Sequence, residues 1–264
     1  MDAHNSTVAV ETRLAPPPVE WEFPKCLLCG SPHARPFISG PDVHAPDGLL
    51  RFQVVHCTDC GLCYTSPRPT PGTIGRFYPT HYGPHRIRER HRDTLTPSPM
   101  RRWTGLRKER QSLPWHGRGR LLDFGCGSGS WIARMRRQGW DVVGVEVSDE
   151  AAARGRNEFG VPILTGTLPH RELAGRQFDV ITMWHSLEHV HEPAEVLGEA
   201  RRLLAPDGKL LVAVPNLASL SFRWFGQAWY GLDLPRHLVH FTPETLTRML
   251  RLTGFRPGAV RMVR

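Results

Sequence analysis

Leu121 to Gly129 read L-L-D-F-G-C-G-S-G, and the fold turns on this stretch. An apolar strand runs straight into glycines at alternate positions, Gly125, Gly127 and Gly129. Glycine permits a tight strand-to-helix turn and lets backbone come close to a ligand. The next residues, S-W-I-A-R-M-R-R-Q-G, put Trp131, Ile132 and Met135 on one helical face and stop at Gly139. Strand, glycine turn and helix form the opening unit of an open α/β sheet.

The alternation continues outward. W-D-V-V-G-V-E-V is a second strand that closes on Glu146, 21 residues after Gly125, where an acid can take two ribose hydroxyls. Ser148 caps the next helix, and Gly160 lies past its end. V-P-I-L-T-G is a short third strand, and F-D-V-I-T-M-W a fourth, apolar enough to be buried on both faces. A helix starts near Pro193 and ends in a P-D-G turn, followed by a fifth strand, K-L-L-V-A-V-P-N. The last helix carries Thr242 as cap, Pro243 and Glu244 in its first turn and Gly254 at its end. The fold class expected is α/β: a Rossmann-like, doubly wound, mostly parallel sheet with helices on both faces. Ser130 occupies the place of the third glycine in a dinucleotide fingerprint, which argues against NAD, and no G-K-[S/T] makes a phosphate loop.

These segments resemble the class I S-adenosylmethionine-dependent methyltransferases from residue 119 to about 256. L-L-D-F-G-C-G-S-G looks like their first motif and V-V-G-V-E-V like their second. The resemblance implies that Gly125, Gly127 and Gly129 cradle the methionine part of the cofactor, with Asp123 and Cys126 in the same turn. Glu146 would hold the ribose, with Val147 beside it. Gly166, Thr167 and Leu168 would border the adenine, although the acid usual there is replaced by T-G-T-L, and Trp184 would close the pocket after the fourth strand. A complete fold of this class ends in a hairpin, whereas F-R-P-G-A-V-R-M-V-R suffices for one strand. The expectation is a C-terminally incomplete sheet, or one that a partner completes.

Upstream, Cys26 and Cys29 in C-L-L-C-G, and Cys57 and Cys60 in C-T-D-C-G, form two pairs separated by 27 residues. Each pair aims two thiolates at one ion, so four make a closed tetrahedral zinc site in a small zinc-ribbon-like domain. A redox pair and an iron–sulfur site are the alternatives. Cys63 and Cys126 read as packing residues. The run C-x-x-C-G-L-x-Y-x-x-P-R-P from Cys57 to Pro69, and G-L-D-L-P-R-H-L-V-H-F-T-P-E-T-L from Gly231 to Leu246, resemble a bacterial subgroup of these methyltransferases. Its members often modify sugars or other small molecules in polysaccharide and natural-product pathways.

After the fourth strand stands W-H-S-L-E-H-V-H-E-P, in which His185, Glu188 and His189 spell the H-x-x-E-H of an inverted zinc protease. That chemistry needs both histidines on one helix face, but a strand precedes the motif and Pro193 follows it. At the carboxyl end of a strand these residues, with His237, are candidate bases for a hydroxyl, amine or acidic-carbon acceptor, Glu188 orienting one of them. The alternative is that they only wall the cofactor pocket. Arg236 is a candidate for an anionic part of the substrate, and F-R-W-F-G-Q-A-W-Y for a lid.

The organisation expected is a disordered leader over 1–20, the zinc-binding region over 21–70, a basic linker with some helix over 71–118, and the cofactor-binding domain over 119–264. No apolar run approaches a membrane span and no signal peptide is visible, so a cytoplasmic location is expected. The net charge is +9, carried by arginine beyond Lys25, Lys108 and Lys209. Twelve Lys/Arg against three Asp/Glu fall between Arg76 and Arg120, a block suited to phosphates or simply to solvent. The function expected is methyl transfer from S-adenosylmethionine to a small molecule, such as a nucleotide-linked sugar. A nucleic-acid methyltransferase using the zinc unit and the arginines is the alternative, although no [D/N]-P-P-[Y/F] follows the fourth strand. A non-catalytic cofactor- or metal-binding module is a third reading, against which the intact glycine turn and Glu146 argue.

Overall fold

The structure is a computed structural model that describes residues 18–45, 50–78 and 119–262. Most of the expected leader and of the basic linker therefore lies outside the described residues. Five parallel strands form the main sheet: β6 (Arg120–Phe124), β7 (Asp141–Glu146), β8 (Ile163–Thr165), β9 (Phe178–Trp184) and β10 (Leu204–Ala213), in the order β10-β9-β6-β7-β8. Strand β6 is central, paired to β7 on one side and β9 on the other. The winding reverses between β6 and β9, which opens a crevice at their carboxyl ends.

The period-2 pattern of these strands divides the core cleanly. Leu121 and Val142 point to the layer holding Ile132 and Met135 of α1 (Ser130–Arg137) and Ala152 of α2 (Asp149–Phe159). Their neighbours Leu122 and Val143 point to the opposite layer, with Val196, Leu197 and Ala200 of α3 (Pro193–Leu203). Each fully buried leucine here contributes about 1.5–3 kcal/mol. The helix ends follow the sequence signals: Ser148 Oγ accepts from the Ala151 amide at 3.2 Å, and Gly160 ends α2 in the left-handed region. Thr242 and Thr245 cap α5 (Pro243–Leu252) reciprocally. Residues 255–262 form no strand, contrary to the single strand expected there. Pro257 removes a ladder donor, and Val260 and Met262 are exposed with no core to bury against.

The N-terminal part builds β1 (Trp21–Glu22), β2 (Ala34–Pro41), β3 (Arg51–Cys57), β4 (Cys63–Thr65) and β5 (Arg68–Pro69). β1 pairs with β5, and β2, β3 and β4 form an antiparallel sheet. Its fourth strand, β11 (Val239–His240), comes from the far end of the chain and pairs with β4. Cys26, Leu28, Cys57, Cys60, Leu62 and Tyr64 share one buried cluster with α3 and the main sheet. Arg248 of α5 donates to the Cys60 carbonyl at 2.9 Å. The short cysteine-rich section thus buries its knuckles in the large core, while Phe52, Val54 and Cys63 pack in a second cluster with Leu217, Leu232 and Leu234. The exposed aromatics of the proposed lid, Trp224, Phe225 and Tyr230, lie on and after α4 (Leu220–Phe225), while Phe222 and Trp229 pack inward.

His240 is buried at the β4–β11 junction. The Thr65 hydroxyl donates to the His237 carbonyl at 2.8 Å, so it accepts from His240 Nε2 at 3.1 Å. Burial, with His237 adding to it, pushes the His240 imidazole down to about 3. Above pH ~6.5 it is neutral folded or unfolded; below that the unfolded chain takes a proton the native one refuses, costing about 1.4 kcal/mol per pH unit. His240→Gln keeps a donor for Thr65 and does not titrate. Between pH 6.5 and 5, urea unfolding should show the wild type losing about 2 kcal/mol more than the variant; equal losses would refute this.

Candidate functional site

The glycine turn sits at the crevice. The amides of Gly125 and Cys126 both donate to the Val145 carbonyl, at 2.8 and 3.1 Å, and hold the turn against β7. Gly125 has φ +71, and a Cβ there would collide with the Cβ of Ser186, just beyond β9. Ser186 in turn donates its hydroxyl to the Phe124 carbonyl at 2.9 Å. No side chain larger than hydrogen fits between these two strand ends. Asp123 is buried and accepts from the Thr182 hydroxyl at 2.6 Å, which ties β6 to β9 below the crevice. Cys126 is a packing piece: its sulfur lies 2.5 Å from where a Cβ on Gly144 would be, and burial pushes its thiol well above the ordinary range.

Glu146 is buried and accepts from the Gly127 amide at 2.7 Å and from the Ser148 amide at 2.9 Å. Its two oxygens are thereby held across the turn by backbone amides on either side. Val147 beside it is exposed, on the rim. The Gly166 amide donates to the Glu146 carbonyl at 2.8 Å, which clips the end of β8 to that of β7. Leu168 is in the core, whereas Gly166 is half-buried and Thr167 is exposed. Trp184 meets Trp131 edge-on at 5.9 Å, and its indole N–H is buried without a hydrogen-bond partner among the described residues.

H-x-x-E-H does not lie on a helix. His185 has φ +51, its amide donates to the Ala213 carbonyl at 2.8 Å, and Leu187–His189 is a single 3-10 turn before α3. The protease geometry is therefore absent. The structure instead brings His189 and His237 together, with ring centroids 4.6 Å apart, over Glu188. Glu188 is 1% exposed. Burial alone would raise its carboxyl, but His185, His237 and His189 around it hold it below the usual range. His185 Nδ1 lies 3.5 Å and His237 Nε2 3.9 Å from Glu188 Oε1, ion-pair distances that fall outside good hydrogen-bond geometry. His189 Nδ1 faces the Arg236 carbonyl at 3.0 Å, and burial pushes this imidazole down to about 4, so it is neutral at physiological pH.

Two participants carry no sequence signal. Tyr78 places its hydroxyl 3.0 Å from His189 Nδ1. Burial, followed by the charge of Asp233, with Glu146 and Glu188 adding, pushes this phenol well up, so it stays an O–H. Ser186 is the second, visible only once Gly125 is placed. Arg236, by contrast, is 0% exposed. Its guanidinium pairs with Asp42 and Asp233 at 2.8 Å and donates to the carbonyls of Phe77 and Leu234. It is an internal strut that no substrate anion reaches.

The four N-terminal cysteines converge. Cys26 and Cys60 sulfurs are 3.3 Å apart, Cys29 and Cys57 3.6 Å, and all four lie within 4.8 Å of one another. Both pairs turn alike: Gly30 and Gly61 have φ +73 and +81, and their amides donate to the carbonyls of Cys26 and Cys57.

A family profile described as a methyltransferase domain matches residues 81–259. The ubiquinone biosynthesis O-methyltransferase of Bordetella avium is 30% identical over 154 residues, 54% of this chain and 64% of that protein. Its namesake from Aeromonas salmonicida is 34% identical over 147 residues, 51% of this chain and 62% of its own length. The chain thus spans just under two thirds of the length of these curated relatives. A solved S-adenosylmethionine-dependent methyltransferase of Thermotoga maritima is 26% identical, covering 53% of this chain and 65% of that one, at a TM-score of 0.44. With the profile match covering over half of its length and the glycine turn set in a five-stranded parallel sheet, the chain belongs to the class I S-adenosylmethionine-dependent methyltransferases.

Proposed function

We propose that this chain transfers the methyl group of S-adenosylmethionine to a small-molecule acceptor. The observation that carries the reading is the buried Glu146 carboxylate, bonded to the Gly127 amide across the glycine turn. Those residues fit the cofactor: Glu146 offers acceptors to ribose hydroxyls, and Gly125 allows the close backbone approach. The cofactor supplies an activated methyl on a sulfonium. The protein's part is to align the acceptor and exclude water.

The acceptor side is the wall formed by Glu188, His189, His237 and Tyr78, reached from Gly125 through Ser186. His189, neutral at working pH, is a base for an acceptor proton. Glu188 would stabilise the positive charge that develops on His189 as it takes that proton, and His185 stands on the exposed rim. The curated relatives are named for O-methylation, and a hydroxyl acceptor suits a neutral histidine beside a carboxylate. A nucleotide-linked sugar or natural-product precursor offers such a hydroxyl. The nucleic-acid alternative drew on residues 76–120, most of which lie outside the described residues.

Zinc belongs, in this reading, to Cys26, Cys29, Cys57 and Cys60. Tetrahedral Zn–S bonds of about 2.3 Å place sulfurs roughly 3.8 Å apart, close to the separations here. Burial pushes the Cys26 thiol up to about 11, so a cation is what draws its proton off at neutral pH.

Calorimetry should show Glu146→Gln and Gly125→Ala each binding S-adenosylhomocysteine at least ~10-fold more weakly than the wild type, about 1.4 kcal/mol. Undiminished binding by both would sink the cofactor assignment. For the metal, elemental analysis should find at least one zinc per chain. Because three of the cysteines lie in the shared core, chelation should lower the melting temperature of the entire chain by at least about 5 °C, roughly 2 kcal/mol. A protein purified without zinc and indifferent to chelators would remove that claim.

A further inference from the structure

Glu188 poses a problem that the methyl-transfer reading leaves unsolved. Both of its oxygens are buried and have no hydrogen-bond partner among the described residues. An ionised carboxylate in that position costs several kcal/mol unless something cationic meets it. His237 Nε2 at 3.9 Å is too far for a hydrogen bond, yet Glu188, His189 and His237 each bring one ligand atom within 4.8 Å of the other two. Ligands held at about 2.0–2.2 Å by a common ion stand roughly 3–4.4 Å apart, so the 3.9 Å between Glu188 Oε1 and His237 Nε2 fits, and His189 would draw in to complete the set.

The two imidazoles are anchored alike. His189 Nδ1 is 3.0 Å from the Arg236 carbonyl and His237 Nδ1 is 2.8 Å from the Gly231 carbonyl. A carbonyl only accepts, so His237 carries its N–H at Nδ1 and its lone pair at Nε2; at His189 the Arg236 carbonyl favours the same tautomer, with the Tyr78 hydroxyl oxygen sharing the Nδ1 N–H. Metal-bound histidines are oriented in this way, through a second-sphere acceptor on the other nitrogen. Of the other charged neighbours, His185 Nδ1 lies 3.5 Å from Glu188 Oε1 but on the exposed rim, and Asp233, 3.9 Å from His237 Nε2, is paired with Arg236, which is bound to Asp42 as well.

We propose that Glu188, His189 and His237 form a second metal site, for a divalent first-row transition ion, separate from the four-cysteine cluster. Two imidazoles and one carboxylate suit zinc, cobalt, iron or manganese, and lack the thiolates that select soft ions. Three protein ligands leave positions open toward the crevice. The site stands on geometry alone. Its role rests on the proposed function, where an ion held by His189 would stand in for the free imidazole as base: it would hold an acceptor oxygen and ease loss of its proton.

The test uses the full chain with its cysteine cluster filled with zinc, titrated with Co²⁺ and followed by visible absorption and calorimetry. About one equivalent should bind with d–d bands and without thiolate charge-transfer absorption. Glu188→Gln and His237→Gln should each weaken binding tenfold or more, since even losing an outer-sphere partner costs that much. Retention of the cysteine-bound zinc in both variants controls for folding. Absence of Co²⁺ uptake, uptake only with thiolate bands, or uptake unchanged in both variants would overturn the proposal. Binding of S-adenosylhomocysteine by the wild type is measured apart, so failure of the methyltransferase reading shows separately.

Discussion

The contact between Gly125 and Ser186 is the constraint on which the site depends. Two parallel strands leave the middle of the sheet in opposite winding directions, and their carboxyl ends come so near that one must carry no side chain. That approach puts the glycine turn and the Ser186–Glu188–His189 segment on either side of one crevice. The Ser186 hydroxyl, bonded to the Phe124 carbonyl, holds the separation. In the proposed function, a cofactor on one side and an acceptor on the other would be neighbours without any moving part.

The acceptor wall is held from a second direction. The Leu238 amide donates to the Glu188 carbonyl at 2.8 Å, and the Thr65 amide donates to the Leu238 carbonyl at 3.0 Å. His237, between these anchors, is positioned jointly by the 3-10 turn after β9 and by the strand that follows the second cysteine pair. The N-terminal unit is therefore part of the site's scaffold. Cys26, Cys57, Cys60 and Tyr64 bury in the same cluster as Leu122 and Val143 of the main sheet.

What was legible in the sequence was local. The strand alternation, the caps at Ser148 and Thr242, the glycine turn, Glu146 and the paired cysteines all depend on spacings of a few residues. Matching the two cysteine pairs needed only the inference that four thiolates share one ion. The contacts that spacing could not show join distant segments: Tyr78 to His189 across 111 residues, and Arg236 to Asp42 across 194. Arg236 was misread for that reason, because an arginine next to a candidate histidine looks available until its two carboxylates are found. H-x-x-E-H was rightly set aside as a protease helix, but its partner His237 was placed only by the fold.

The pairing of β4 with β11 has a consequence for how the protein is made. His240 lies 175 residues after Thr65, its partner across the junction. At ~5–20 residues per second, a ribosome needs roughly 10–35 s to travel that distance. Through that interval the strand after the second cysteine pair presents an open edge, the kind of template on which nascent chains pair wrongly. Early capture of an ion by the knuckles would hold β3 and β4 in register while the edge waits. The cysteine cluster would then act as a placeholder during synthesis, releasing that duty to β11.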